Sequence, residues 1–120
     1  MQRKLIIGTR GSPLALYQAN LVKTLLGHES RIKIFKTSGD KISGDLKDFG
    51  GKGLFTKELE AALINGDIDL AVHSMKDVPT ISQEGLSIEA VLKREDPRDA
   101  FISYKVSKLT DLPHKAIVGT

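Results

Sequence analysis

The sequence of 120 residues contains no cysteine and no tryptophan, and its aromatic residues are limited to two tyrosines and four phenylalanines. Without cysteine the chain has no disulfide framework, no thiol nucleophile and no cysteine-based zinc site. A pI of about 9.2 invites a nucleic-acid-binding interpretation. However, the net charge is only +3, the basic residues are scattered, and no aromatic residues alternate with them to stack bases. We therefore expect no nucleic-acid partner, and a site for small anions explains the basic excess more simply.

Long apolar runs are also missing. The first apolar run, residues 5–7, is too short for a secretory signal peptide, and no run approaches the length of a membrane span. The three histidines, His28, His73 and His114, are widely separated and lack metal-ligand spacing. We therefore expect a cytoplasmic protein without membrane contact and without a metal site.

The first third of the chain alternates strand and helix patterns. Residues 4–8 form an apolar strand candidate, and apolar residues at helical spacing follow it. Ser12 fits the N-cap of this helix, Pro13 its first position and Gly27 its end. Residues 31–36 mix charged and apolar side chains and predict a second strand.

The next segments continue the alternation. Residues 37–53 hold five glycines among charged side chains, and we interpret them as a mobile lid, with an inert surface loop as the alternative. Residues 54–65 predict a helix that ends at Gly66, and residues 68–72 predict a buried strand. The order β-α-β-α-β predicts an α/β fold with a mainly parallel sheet.

The remainder of the chain gives weaker patterns. Residues 86–92 and 116–118 are strand candidates, and residues 107–112 form a candidate short helix. Residues 93–99 are densely charged and contain a proline, which is typical either of a hinge between domains or of a salt-bridged turn.

Polar side chains follow the predicted strands at their carboxyl ends, where open α/β sheets bind ligands. Arg10 and Ser12 follow the first strand, and the helix N-terminus beside them offers free N–H groups to an anion. Ser74, Lys76 and Asp77 follow the third strand. Cations and hydroxyls around one carboxylate indicate a pocket for a polycarboxylate, in which the cations favour ionised Asp77. The alternatives are a capping serine, a surface arginine and a solvated strand exit.

Two further lysines flank the start of the second helix. Lys52 lies between glycines, where its ammonium group could meet an anion. Lys57 falls in the first helical turn, which is unfavourable for a cation unless an anion lies nearby. The segment lacks the phosphate-binding loop motif, because Leu46 and Gly53 stand where that motif requires Gly and Ser or Thr.

Four segments together resemble the porphobilinogen deaminase (hydroxymethylbilane synthase) family. They are residues 9–16 with Gln18, residues 51–60, residues 71–79 and residues 94–101. They occur in the family's order and span nearly the whole chain. The resemblance implies a transferase that joins four porphobilinogen molecules head to tail into hydroxymethylbilane, releasing ammonia at each step, in tetrapyrrole (heme) biosynthesis.

The resemblance also implies roles for particular residues. Asp77 would be the catalytic carboxylate, which stabilises cationic pyrrole intermediates and assists proton transfer at the ring nitrogens. Seven residues would bind carboxylates of the substrate and of a dipyrromethane cofactor: Arg10, Ser12, Gln18, Lys52, Lys57, Ser74 and Lys76. The segment around Gly44 resembles the family's mobile lid. The family carries its cofactor on a cysteine of a third domain, so the attachment point would lie outside this chain.

The resemblance implies a particular domain organisation. Family members are at least twice as long as this chain and have three domains, of which the first two are structurally similar to solute-binding proteins. The expected fold is therefore a truncated α/β lobe of the periplasmic binding protein type II-like class, with a central mainly parallel sheet. Residues 1–95 would form the first, catalytic-cleft domain without a later returning segment. Residues 96–120 would form a hinge and the start of the second domain.

Two expectations and one alternative follow. The parent enzyme would be a monomer, whereas the 120-residue chain alone would be inactive and would either associate through uncovered apolar surface or sheet edge or be only partly stable. The alternative is the anion-binding lobe of a solute-binding-like protein, in which Asp77 orients a ligand without catalysis.

Overall fold

The computed structural model of the chain describes residues 3–27, 29–44 and 53–120. The chain divides into two compact units, Met1–Ile88 and Glu89–Thr120. Each unit is considered by itself. In the described ranges, no helix is both long and apolar enough to cross a membrane.

A parallel three-stranded sheet forms the centre of the first unit, with strand order β2-β1-β3. Its strands are β1 (Leu5–Arg10), β2 (Ser30–Phe35) and β3 (Leu70–Ala71). Leu5 lies opposite Ser30 and Arg10 opposite Phe35, so β1 and β2 end at the same edge. Because both neighbours of β1 run parallel to it, the predicted β-α-β-α-β order and parallel sheet are confirmed.

Helix α1 (Pro13–Leu26) begins and ends at the predicted residues. The Ser12 side chain accepts a hydrogen bond from the N–H of Ala15 at 3.4 Å, which satisfies one free donor of the first turn. Pro13 occupies the start of the helix, where its missing N–H costs nothing. Gly27 adopts φ 60°, the left-handed conformation that ends helices.

Helix α2 (Lys57–Ile64) packs on the sheet and closes the core. Leu59, Ala62 and Ile68 are buried and form the main apolar cluster. Gly8 in β1 allows the close approach, because a side-chain carbon there would lie only 2.9 Å from Leu59 Cδ2 and would also collide with Ile68.

Several predicted element boundaries are wrong. Helix α2 begins at Lys57 rather than at residue 54, because residues 53–56 form a turn instead. Strand β3 is shortened to Leu70–Ala71, although the N–H groups of Asp69 and Val72 still bond to β1 at 2.9 and 3.0 Å. The pairing with β1 ends where the chain turns away from the sheet, because a 3₁₀ turn begins at Met75.

The second unit, Glu89–Thr120, contains one short 3₁₀ turn at Leu109–Asp111 among its described elements. The strands predicted at residues 86–92 and 116–118 do not form, because a strand requires a neighbouring chain to complete its hydrogen bonds and none of the described residues supplies one. The helix predicted at residues 107–112 is reduced to the same 3₁₀ turn. Asp96 and Arg98 form an exposed ion pair, as a salt-bridged turn requires.

Candidate functional site

A cleft of about 300 Å³ opens in the first unit, where β1 and β3 end. Six of the predicted site residues line it: Arg10, Ser12, Gln18, Ser74, Lys76 and Asp77. The structure therefore brings together side chains from segments that lie up to 67 positions apart in sequence, from Arg10 to Asp77. Parallel strands place their carboxyl ends at one edge, which is why these segments converge.

Arg10, the last residue of β1, is hydrogen-bonded to Asp40, lies near Asp77 and packs on the ring of Phe55. Its Nη2 lies 2.5 Å from Asp40 Oδ1, and its Nε lies 3.2 and 3.3 Å from the two Asp40 oxygens. Its Nη1 lies 3.8 Å from Asp77 Oδ2. The Phe55 ring stacks on the guanidinium, with its centroid 4.2 Å from Arg10 Cζ. The alternative of a surface arginine is therefore wrong, because only 19% of the Arg10 side chain is exposed.

Asp40 is itself anchored by Thr37. The N–H and the hydroxyl of Thr37 donate to Asp40 Oδ2 at 3.0 and 2.6 Å. The hydrogen bond from Arg10 lowers the pKa of Asp40 to about 2, assisted by Thr37 and opposed by partial burial. Asp40 is therefore ionised at neutral pH and forms a persistent ion pair with Arg10.

The residues after β3 form the opposite wall of the cleft. A 3₁₀ turn, Met75–Asp77, begins after Ser74, and the N–H of Asp77 donates to the Ser74 carbonyl at 3.0 Å. The Ser74 hydroxyl donates to Gln18 Oε1 at 3.1 Å, which ties this turn to α1. The turn fixes the backbone of Lys76 and Asp77 at the cleft, and the Gln18 side chain, held through its Oε1, lines the same cleft.

His73 also lines the cleft, although no motif in the sequence assigns it a role. Burial lowers the pKa of His73 below its usual value, and this effect and that of Arg10 outweigh the raising influence of Glu60 and Asp77. The imidazole is therefore neutral at pH 7. Its position directly after the apolar β3 segment is the one signal that placed it near the site.

Two other residues of the site were missed from the sequence. Asp40 lies in the glycine-rich segment that we interpreted as a lid, and Phe55 lies in the segment that we predicted as a helix, without a role in the site. The turn pattern Thr-Ser-Gly-Asp over residues 37–40 is the local signal for Asp40, because an aspartate in such a turn binds nearby backbone N–H groups. Phe55 had no comparable signal.

The two remaining predicted residues are not in the cleft as described. Lys57 is the first residue of α2 and is absent from the cleft lining. Lys52 lies outside the described residues. The first turn of α2 instead presents Glu58, which accepts a hydrogen bond from the Ser38 hydroxyl at 2.5 Å. Burial acts to raise the pKa of Glu58, but the hydrogen bonds and nearby Lys57 leave it below its usual value.

The cleft combines positive charges and hydrogen-bond donors, which suit an anion, with the carboxylate of Asp77. Arg10, Lys76, Ser12 and the start of α1 supply positive charge or hydrogen-bond donors suited to carboxylates. Asp77 supplies a carboxylate that can accept N–H groups. Among the described residues no group of three or more His, Asp or Glu side chains is placed to hold a metal ion. Fold and cleft together define an α/β protein with a cleft, at the carboxyl ends of parallel strands, whose donors suit small organic anions.

Comparison with known proteins identifies the family. A family model described as "Porphobilinogen deaminase, dipyromethane cofactor binding domain" matches residues 5–120, and the chain belongs to this family. The porphobilinogen deaminase of Helicobacter acinonychis is 55% identical over 122 residues, which cover 98% of this chain and 40% of that protein. The chloroplastic porphobilinogen deaminase of Pisum sativum is 56% identical over 124 residues, which cover 95% of this chain and 34% of that protein. The chain thus spans about two fifths or less of the length of these relatives.

The cleft fits the group named in the family description. Dipyrromethane offers pyrrole N–H groups and, as in the family, carboxylate arms. The donor set of Arg10, Ser12 and Lys76 suits the arms, and the Asp77 carboxylate suits the N–H groups. The chain contains no cysteine for covalent attachment.

Proposed function

We propose that the complete product of the reading frame encoding these 120 residues is a porphobilinogen deaminase. It condenses four porphobilinogen molecules head to tail into hydroxymethylbilane and releases ammonia at each condensation, in the cytoplasm. Family membership and the names of the relatives support this activity. The observation that carries it is the Asp77 carboxylate in a cleft with Arg10 and Lys76, 3.8 Å from the guanidinium.

Asp77 is the proposed catalytic residue. Its carboxylate accepts the N–H of a pyrrole ring and stabilises the positive charge that the ring develops during condensation. The same carboxylate takes up and returns a proton at the ring nitrogen. The turn at Met75–Asp77 holds it at the cleft, so little reorganisation is needed.

The remaining cleft residues bind carboxylate arms. Arg10 and Lys76 contribute charge, and Ser12 and the start of α1 contribute hydrogen bonds. The Ser74 hydroxyl orients the Gln18 amide through their 3.1 Å hydrogen bond. Bound dipyrromethane supplies the anchored pyrrole end to which substrate units are joined. Lys52 and Lys57 remain proposed carboxylate ligands, although Lys57 does not line the described cleft.

The proposed organisation follows that of the family. Residues 1–95 form a solute-binding-like lobe, residues 96–120 form a hinge and the beginning of a second domain, and the complete enzyme is a monomer. The 120-residue chain alone is inactive and self-associates. Exposed apolar side chains in the second unit, such as Ile102 and Ile117, support self-association.

The test uses the complete gene product, purified and weighed by intact-mass spectrometry before and after addition of porphobilinogen. We expect a mass excess of two linked pyrrole units that grows by further units with substrate.

Asp77→Asn should reduce turnover at least about 100-fold, within the range for loss of acid–base catalysis, whereas the exposed Asp67→Asn should retain it. Normal turnover by Asp77→Asn would refute the catalytic assignment. Anion binding without any mass excess would instead favour a solute-binding-like lobe.

A further inference from the structure

The Arg10 guanidinium is constrained on one edge before any ligand binds. Its Nε and Nη2 both contact the Asp40 carboxylate, at 2.5 to 3.3 Å. This side-on contact occupies one of the edges with which an arginine fork grips a carboxylate. The donors on Nη1 remain, and they lie on the side of Asp77.

Asp40 is held independently of Arg10. Thr37, which is fully buried, donates both its N–H and its hydroxyl to Asp40 Oδ2. The backbone of Asp40 belongs to the 3₁₀ turn Gly39–Lys41. The carboxylate therefore has a fixed direction that it can impose on Arg10.

Phe55 restricts the remaining freedom of the guanidinium. Its ring covers one face, 4.2 Å from Arg10 Cζ. With one edge on Asp40 and one face on Phe55, the side chain cannot turn its fork toward Asp77 without breaking both contacts. The observed 3.8 Å between Arg10 Nη1 and Asp77 Oδ2 exceeds hydrogen-bond distance.

We infer that Asp40 is a positioning residue of this site, which holds the Nε–Nη2 edge of Arg10 and thereby keeps the guanidinium from closing on Asp77. Among the described residues, Asp77 is the other carboxylate that forms an ion pair with Arg10, so it is available to the fork when Asp40 is removed. A bidentate contact there would occupy the oxygens that the proposed function assigns to pyrrole N–H groups. His73 and Lys76 also line the cleft with Asp77. The proposed effect of Asp40 on Asp77, however, is transmitted by Arg10. The expected change in turnover rests on the proposed function, whereas the contacts of Arg10 with Asp40 and Phe55 do not depend on it.

The geometric part is tested on the complete gene product by NMR. Hydrogen exchange of the Arg10 Nε–H is measured in arginine-labelled protein, with Arg10→Lys used to assign the signal. We expect Asp40→Asn, made in an Asp77→Asn background so that the fork cannot transfer its hydrogen bonds to Asp77, to accelerate this exchange about tenfold or more, because a charge-assisted hydrogen bond is weakened. Thr37→Val should accelerate it less, because it removes only one anchor of Asp40.

The control is Asp69→Asn. Asp69 likewise accepts from an arginine, Arg3 at 2.7 Å, and from a backbone N–H, that of Ile6 at 2.8 Å. It is not among the cleft residues, so its substitution should leave the exchange of Arg10 unchanged. Unchanged exchange in folded Asp40→Asn would overturn the inference. If that variant does not fold, unchanged exchange in Thr37→Val overturns it instead.

The kinetic part uses the complete gene product and porphobilinogen. Asp40→Asn should lower kcat at least about tenfold and should also raise KM, because a guanidinium turned onto Asp77 no longer binds a substrate carboxylate, and Asp40→Glu should recover part of kcat. Asp69→Asn should keep the wild-type kcat at a temperature where all variants are folded. A lower melting temperature of Asp40→Asn with wild-type kcat would mean a purely structural role and would overturn the inference. No turnover by the wild-type protein would refute the proposed function alone, and the exchange measurement would still decide the positioning role.

Discussion

The ion pair between Asp40 and Arg10 should make the stability of the first unit depend on acid pH. Replacing Asp40 with Asn removes the charge while keeping the shape of the side chain. The pKa of Asp40 in the folded chain is about 2, against an ordinary value of 3.8. A carboxylate whose pKa is depressed by folding stabilises the folded state above its unfolded pKa. That contribution is lost as the pH falls through the folded pKa.

The magnitude follows from this difference in pKa. One unit of pKa corresponds to about 1.4 kcal/mol, so the full difference corresponds to about 2 kcal/mol. Some 21% of the Asp40 side chain and 19% of the Arg10 side chain remain exposed, and solvent screening reduces the contribution to about 1–2 kcal/mol. We therefore expect Asp40→Asn to destabilise the chain by about 1–2 kcal/mol at pH 7.

The assay is urea unfolding followed by far-ultraviolet circular dichroism between pH 2 and pH 7. The difference in free energy of unfolding between wild type and Asp40→Asn should be constant above pH 5 and should shrink toward zero near pH 2. Subtracting the two curves removes the titration of the carboxylates that both proteins share. Asp67→Asn, at an exposed position, should change stability by no more than about 0.5 kcal/mol. A wild-type–variant difference that does not change between pH 5 and pH 2 would refute the reasoning.

Two further predictions concern the surroundings of Arg10. Gly39→Ala should destabilise the chain by about 1–3 kcal/mol, because the added carbon would lie 2.5 and 2.6 Å from Cδ1 and Cζ of Phe55. Gly119→Ala, which has open space around it, is the matched control in urea unfolding, and equal stabilities of the two variants would contradict the packing. His73 should titrate below 6.5 by NMR because it is buried, and Glu60→Gln should lower its pKa further by removing a negative charge. Titration of His73 above 6.5 would show that burial does not dominate.

Local patterns predicted the regular elements well where the signal lay within a few residues. The caps of α1 are an example, because Ser12, Pro13 and Gly27 act on groups three or four positions away. The predictions failed at residues 86–92 and 116–118, which have apolar strand composition but no pairing partner in the described chain. Strand composition shows that a segment fits a sheet, whereas the ladder itself depends on a second segment.

The site likewise contains residues that local patterns predicted and residues that they did not. Polar residues at the ends of apolar strands predicted that Arg10, Ser12, Ser74, Lys76 and Asp77 would gather at one edge of a parallel sheet, and all of them line the cleft. The likeness of residues 71–79 to the family's motif added a proposed role for Asp77. Lys57 lies at the start of a helix as predicted, but it is absent from the cleft lining.

The sequence by itself determined the alternation of strands and helices, the caps and the residues that follow each strand, because these depend on short-range periodicity and on backbone preferences of single residues. Only the tertiary structure decided that Arg10 is held by Asp40, 30 positions away, and that Ser74 bonds to Gln18, 56 positions away. Such contacts require the strand order and register to be fixed first. Hydrogen-bond geometry within a few tenths of an ångström is then set by packing between distant segments, which no local pattern encodes.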